Sequence, residues 1–81
     1  MKTVEINTPY IKLEQFFKLA QISQSGGEAK VLISSGKALV NDEIETRRGR
    51  KLRDGDIVAY GNNRYLIRQD GGLDEDKTAS S

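Results

Sequence analysis

The stretch Ser25-Gly-Gly-Glu-Ala-Lys-Val-Leu-Ile-Ser-Ser-Gly36 predicts a short helix with a signal at each end, around which the rest of the chain is arranged. Ser25 followed three residues later by Glu28 is a capping box, in which the hydroxyl and the carboxylate each accept from a free backbone N–H. Gly36 follows the last turn, where a left-handed residue commonly ends a helix. The predicted buried stripe of this helix is Ala29, Leu32 and Ile33.

The residues before this helix predict one strand and one further helix. Residues 2–6 alternate and are rich in β-branched side chains, which favours a strand that residues 7–9 interrupt. The helix could begin early, with Thr8 and Pro9 at its start, or near Lys12 after an extended Tyr10-Ile11, and we prefer the later start. Its apolar stripe has the spacing of an amphipathic helix and consists of Leu13, Phe16, Phe17 and Ala20.

The residues after Gly36 predict four strands. Residues 38–40 and 43–45 flank Asn41-Asp42, a pair that suits a two-residue hairpin turn because both residue types tolerate positive φ. Residues 46–53 are predicted to form a loop with Leu52 as its anchor in the core, and residues 54–56 a turn. Residues 57–60 and 64–68 form a second hairpin. The order β-α-α-β-β-β-β predicts an α+β domain with two helices packed on a small, mostly antiparallel sheet.

The small net charge of the whole chain conceals an excess of basic residues in residues 1–69. The whole chain carries 13 basic and 12 acidic residues, a net charge of +1, but residues 1–69 carry 12 basic and 8 acidic residues, a net charge of +4. We therefore divide the chain into a domain, residues 1–69, and an acidic tail, residues 70–81, whose composition is typical of disorder. The tail could compete with an anionic partner for the basic residues.

The composition excludes several classes of function. The chain has no cysteine and no histidine, which removes the thiolate ligands and nucleophiles and the commonest general base. Asp54 and Asp56 lie in a predicted turn and Glu43 and Glu45 on a predicted hairpin strand, and neither pair has a visible pocket. The acidic tail lacks the spacing of a metal-binding loop. We therefore expect no catalytic residue, no metal and no cofactor. No signal peptide or membrane span is evident. We expect a cytoplasmic protein that does not bind a membrane, and a monomer, although the sequence does not determine the oligomeric state.

Two segments are candidates for binding phosphate. The free N–H groups at the start of the second helix can bind an anion, and the glycines allow a close approach, so Ser25, Gly26, Gly27 and Lys30 form the first candidate. Taken alone, this segment is better explained by simple capping. The second candidate is a run that we call the basic loop, residues 47–53, with Arg47, Arg48, Arg50, Lys51 and Arg53.

Clustered arginines on a loop suit a structured RNA, because guanidinium groups match phosphate oxygens and stack on bases. The alternative is a solvated loop whose bases pair with nearby carboxylates, a kind of pair that contributes only about 0–1 kcal/mol at a surface. We favour RNA because a loop that binds nothing has no need to concentrate like charges. Tyr10, Tyr60 and Tyr65 could stack on bases, but we assign them to packing and not to the site.

Several spaced motifs agree in order with one known family. They are residues 12–18 (Lys-Leu-Glu-Gln-Phe-Phe-Lys), residues 25–30 (Ser-Gly-Gly-Glu-Ala-Lys), Ile33-x-x-Gly36-x-Ala-x-Val40-Asn41 and Leu52-x-x-Gly55-Asp56. Together they resemble the RNA-binding domain of the ribosomal protein S-four type, the alpha-L motif, and most closely its small stand-alone bacterial members. The resemblance extends from about Tyr10 to Tyr60.

The resemblance implies that the two helices and the following loop face RNA, which adds Lys12 and Gln15 to the site. It implies a ribosome-associated or ribosome-assembly factor, with structured RNA, and ribosomal RNA in particular, as the partner. Two departures from the family pattern concern Asp42, which replaces a turn glycine, and the absence of a basic residue just before the second helix. The alternative function is an adaptor that docks on a larger assembly through its sheet or tail without contacting RNA.

Overall fold

A computed structural model describes residues 1–69; the predicted tail, residues 70–81, lies outside the described residues. Two helices, α1 (Leu13–Leu19) and α2 (Gly26–Ser34), follow the first two strands. The strands are β1 (Lys2–Ile6), β2 (Ile11–Lys12), β3 (Ala38–Val40), β4 (Glu43–Ile44), β5 (Lys51–Leu52), β6 (Ile57–Tyr60) and β7 (Asn63–Gln69). Neither helix in this part of the chain is long and apolar enough to cross a membrane.

Five strands form the main sheet, in the order β1-β7-β6-β3-β4. Only β1 and β7 run parallel; every other neighbouring pair in this sheet is antiparallel. A separate antiparallel ribbon joins β2 to β5. The predicted α+β class, with two helices and a mostly antiparallel sheet, is confirmed.

Aromatic side chains join α1 to the main sheet. The Phe16 ring meets the Tyr65 ring edge to face, with centroids 5.3 Å apart, and Phe17 meets Tyr60 in the same way at 5.3 Å. Such contacts stabilise a core beyond simple area burial. Leu13, Phe16 and Phe17 are fully buried, which confirms three of the four predicted stripe residues. The fourth, Ala20, is partly buried and caps the end of the helix. The start of the helix directly after Lys12 is also confirmed.

Two turns adopt the predicted conformations. Asn41 and Asp42 have φ values of 52° and 70°, so both central residues of the β3–β4 turn are left-handed. Asp42, which stands where the family has a turn glycine, therefore adopts the left-handed conformation that a glycine accepts readily. Gly36 has φ of 82° directly after α2, which confirms it as the residue that ends that helix.

Several details differ from the predictions, among them the end of β4 at Ile44 and the start of β7 at Asn63. The basic loop is not entirely irregular, because Lys51 and Leu52 form β5; the fully buried Leu52 draws that segment against β2. At the start of α2, the Ser25 hydroxyl accepts from the Glu28 amide at 3.1 Å as predicted, but the Glu28 carboxylate accepts from the Gln24 amide at 2.8 Å and not from that of Ser25. The carboxylate reaches one residue further back than a capping box requires.

Candidate nucleic-acid interface

The basic loop is fixed to the first turn of α1. The amide of Leu13 donates to the carbonyl of Arg50 at 2.8 Å, and the amide of Glu14 donates to the carbonyl of Arg48 at 3.1 Å. The first amides of a helix have no partner within the helix, so the loop satisfies two of them. The loop is therefore a folded part of the domain, and the N-terminus of α1 is already occupied by protein carbonyls.

A buried carboxylate holds the base of the loop. Glu45 is 7% exposed, and its carboxylate accepts from the guanidinium of Arg47 at 2.9 and 3.0 Å and from that of Arg50 at 3.0 Å. It also accepts from the backbone amide of Arg47 at 3.1 Å. The hydrogen bonds from the Arg47 side chain do most to lower the pKa of Glu45, which falls to about 2 although burial raises it.

The five basic side chains of the loop thus differ in whether a carboxylate pairs with them. Arg47 and Arg50 pair with Glu45, as the alternative of a self-paired loop required. Arg48 has only a contact of 4.0 Å with Glu14. Among residues 1–69, no carboxylate lies within ion-pair distance of Lys51 or Arg53.

The β2–β5 ribbon brings α1's predicted site residues to this loop. Lys12 lies opposite Lys51 in the ribbon, which places two like charges side by side on exposed positions. Gln15 is exposed, and its side-chain oxygen accepts from the Lys12 amide at 3.0 Å, so it caps α1. Repulsion between adjacent lysines opposes the fold, and an anion bound between them would relieve it.

Tyr10, which we assigned to packing from the sequence, lies beside two cations of the basic loop. The Lys51 ammonium lies 5.0 Å from the centre of its ring, and the Arg53 guanidinium lies 5.6 Å away. Tyr60 and Tyr65, in contrast, pack in the core. The signal was the extended Tyr10-Ile11-Lys12 segment, whose alternation places Tyr10 and Lys12 on one face.

The start of α2 is the second candidate segment. Within the described residues, the amides of Gly26 and Gly27 donate to no protein acceptor. A Cβ atom at Gly26 would meet nothing within 4 Å, and one at Gly27 would only touch the Ser25 hydroxyl at 3.9 Å. Neither glycine has a positive φ, so the fold itself requires neither. Lys30, one turn further on, is exposed.

The structure joins some of the predicted site residues and leaves others apart. Lys12, Gln15 and the basic loop share one corner of the molecule, built from α1 and the β2–β5 ribbon. In the described part of the chain, no hydrogen bond or ion pair connects residues 25–30 to that corner. Their connection is indirect, through the packing of α1 on α2.

The carboxylate pair Asp54 and Asp56 belongs to the turn between β5 and β6. Asp56 accepts from the Arg53 amide at 2.8 Å and from the Asn41 side chain at 3.2 Å, and Asp54 accepts from the Gln69 amide at 2.8 Å. Among residues 1–69, no three acidic side chains cluster as metal ligands do. These carboxylates fix the end of the basic loop.

Comparison with known proteins gives a family match and several relatives. The model of the S4 domain matches residues 4–68. The probable ribosome maturation protein RlbA of Bacillus subtilis is 54% identical over 55 residues, which cover 68% of this chain and 78% of that protein. The putative RNA-binding protein YbcJ of Escherichia coli is 35% identical over 52 residues, which cover 64% of this chain and 74% of that protein.

One solved structure has the same fold. The solution structure of YbcJ from Escherichia coli, described as having an alpha-L motif involved in RNA binding, superposes with a TM-score of 0.65 at 29% sequence identity. The superposition covers 84% of this chain and 87% of YbcJ. The resemblance to the S-four type and its alpha-L motif is thereby confirmed.

Proposed function

The chain belongs to the S4 domain family, and we propose that it binds structured RNA without catalysing a reaction. The observation that carries this proposal is the corner where the basic loop is fixed to α1. There, Lys12, Lys51 and Arg53 face solvent with no carboxylate within ion-pair distance among residues 1–69, and Arg48 has only a distant one. Unpaired cations on a rigid scaffold suit a phosphate backbone, because little ordering entropy is lost on binding.

We further propose ribosomal RNA as the partner, met during assembly of the ribosome or on a ribosomal subunit. The support is the Bacillus subtilis relative RlbA, a probable ribosome maturation protein that is 54% identical to this chain over 55 residues. The YbcJ relatives support the wider class of RNA.

In the proposed mode of binding, the basic loop and the β2–β5 ribbon supply most of the attraction and the start of α2 orients the RNA. Two free amides and two glycines without a structural requirement at that start leave room for a phosphate against the backbone. Glu28 opposes this attraction in part, because its carboxylate lies at the same helix end. The start of α2 is therefore the minor contributor.

The test is a titration of ribosomal RNA or purified subunits with the protein over a range of salt concentrations. We expect the affinity to fall with salt with a log–log slope of about −0.7 to −0.9 for each phosphate contacted. Arg48→Ala should weaken binding, as should the triple change of Arg47, Arg48 and Arg50 to alanine. Arg64→Ala is the matched control, since Arg64 lies on β7 and pairs with Asp42, a residue outside the basic loop.

Unchanged affinity in Arg48→Ala and in the triple variant, or binding that does not respond to salt, would refute the proposal. Arg48→Ala is the cleaner variant, because Arg47 and Arg50 also hold the fold of the loop through Glu45. Crosslinking in cells then identifies which RNA is contacted.

One observation favours the adaptor as a second candidate. The outer face of the main sheet carries Leu39, Ile44, Ile57 and Leu66, and Ile44 is 66% exposed. A partly exposed apolar face can bind another protein. Co-purification with a protein assembly that survives nuclease and high salt would favour this function over RNA binding.

A further inference from the structure

Tyr10 is an exposed aromatic ring surrounded by cations. It is 37% exposed, and the charged groups of Lys51 and Arg53 lie 5.0 and 5.6 Å from the centre of the ring. The Thr8 hydroxyl donates to the carbonyl of Tyr10 at 2.7 Å and so fixes the backbone that carries the ring. The ring is therefore held in place without being buried in the core.

The β2–β5 ribbon explains this arrangement. Ile11 pairs with Leu52 and Lys12 with Lys51, and the same register continued by one residue sets Tyr10 opposite Arg53. Side chains alternate along a strand, so the fully buried Leu52 marks the face that is turned to the core. The other face carries four exposed residues, which we call the ribbon face: Tyr10, Lys12, Lys51 and Arg53.

A groove runs beside the ribbon face. Its walls are the connection from β1 to β2, including Pro9 and Tyr10, and the side of α1 that carries Gln15 and Leu19. Leu19 is 53% exposed and gives the groove an apolar wall. The side-chain oxygen of Gln15 is held by the Lys12 amide, which leaves its amide NH₂ free to donate to a ligand.

We propose that the ribbon face binds an unpaired nucleotide, with its base stacked on Tyr10 in the groove and its flanking phosphates bound by Lys12, Lys51 and Arg53. This inference rests on the proposed RNA function and makes it more specific. In an A-form duplex the bases are stacked inside and cannot reach a protein ring, so the ligand is a bulge or a loop next to a helix. Cation–π contacts at an exposed site are weak, so the two cations can exchange the ring for phosphates.

Three RNA duplexes of identical stem sequence test this inference. One is perfectly paired, one carries a single bulged adenosine, and one carries an abasic sugar at the bulge. The protein should prefer the adenosine bulge over the abasic bulge by roughly 5- to 150-fold, the range of base stacking on an aromatic ring. Tyr10→Ala should abolish that preference and Tyr10→Phe should retain it. The salt slope of Tyr10→Ala should stay unchanged, because stacking releases no counterions.

The outcomes separate this inference from the function on which it rests. If the protein binds all three duplexes equally, or if Tyr10→Ala weakens all three by the same factor, Tyr10 only supports the loop and the inference fails while RNA binding stands. If no RNA is bound in a salt-dependent way, both fail. Tyr10→Leu keeps apolar bulk beside the groove, and a retained preference for the adenosine in this variant would likewise overturn the stacking role.

Discussion

The two halves of the basic loop, residues 47–50 and 51–53, contain similar basic residues but make different contacts. In the first half, Arg47 and Arg50 bind the buried carboxylate of Glu45. In the second half, Lys51 and Arg53 face an aromatic ring and find no carboxylate within ion-pair distance among residues 1–69. A basic residue counted in the sequence is therefore not always a charge that is available to a partner.

This division gives the loop both rigidity and attraction. Arginine suits the first half because its planar fork binds a carboxylate with two hydrogen bonds at once. The second half keeps its charge because alternation in β5 turns Lys51 outward while Leu52 enters the core. We therefore expect substitutions of Arg47 and Arg50 to lower stability, and those of Arg48, Lys51 and Arg53 to lower RNA affinity.

The largest expected effect is that of Glu45→Gln. The amide cannot hold two guanidinium groups as a carboxylate does, so we expect the free energy of unfolding to fall by about 2–3 kcal/mol. Urea denaturation followed by circular dichroism measures this. Glu43→Gln, at an exposed position two residues earlier, is the matched control and should change stability by less than about 0.5 kcal/mol. Equal effects of the two changes would contradict the role of Glu45.

The pH dependence of the same carboxylate comes next. The pKa of Glu45 is lowered from the usual 4.5 to about 2 in the folded state, so between these values the unfolded chain binds the extra proton. The stabilisation of the fold by ionised Glu45 is therefore complete above about pH 4.5 and is lost as pH falls toward 2. We expect this loss of free energy of unfolding to be roughly 2 kcal/mol, because solvent around the exposed Arg47 weakens the interaction.

The measurement is the difference in free energy of unfolding between wild type and Glu45→Gln at a series of pH values, which cancels the other carboxylates. A difference that persists undiminished at pH 2 would show that the charge of Glu45 is not its source.

An intermediate effect is expected from the second half of the loop. Lys51→Ala should reduce RNA affinity by roughly 5- to 10-fold and make the salt slope shallower by about 0.7–0.9, as the loss of one phosphate contact does. Its stability should change little. Lys37→Ala removes the same charge from an exposed position outside the proposed surface and is the control. If Arg47→Ala lowered RNA affinity as much as Lys51→Ala and did not lower stability, the separate roles of the two halves would be contradicted.

The smallest expected effect lies at the start of α2. Gly27→Ala should raise the free energy of unfolding by about 0.5 kcal/mol, because alanine favours the helix and the added Cβ meets only an ordinary contact. RNA affinity should nevertheless fall slightly, since the Cβ would stand between a phosphate and the backbone. In contrast, Gly36→Ala, at φ of 82°, should lower stability by about 1 kcal/mol. Unchanged affinity in Gly27→Ala would remove the start of α2 from the RNA surface.

Much of the fold could be read from local patterns. The stripe of α1 predicted Leu13, Phe16 and Phe17 as core residues, and all three are fully buried. Asn41-Asp42 predicted its turn, because few residue types accept positive φ. These features can be predicted because helices and turns depend on the conformational preferences of residues that are close together in the chain.

The sequence of this chain determined by itself the two helices, the class of the sheet, the positions of the turns and the concentration of basic residues between Arg47 and Arg53. Only the tertiary structure decided that β2 pairs with β5, that Glu45 neutralises part of the loop and that Tyr10 stands among the remaining cations. Helices, turns and composition follow from residues close together in the chain. The pairing of residues 11 and 12 with residues 51 and 52 depends on how the whole core closes, and no local pattern records that.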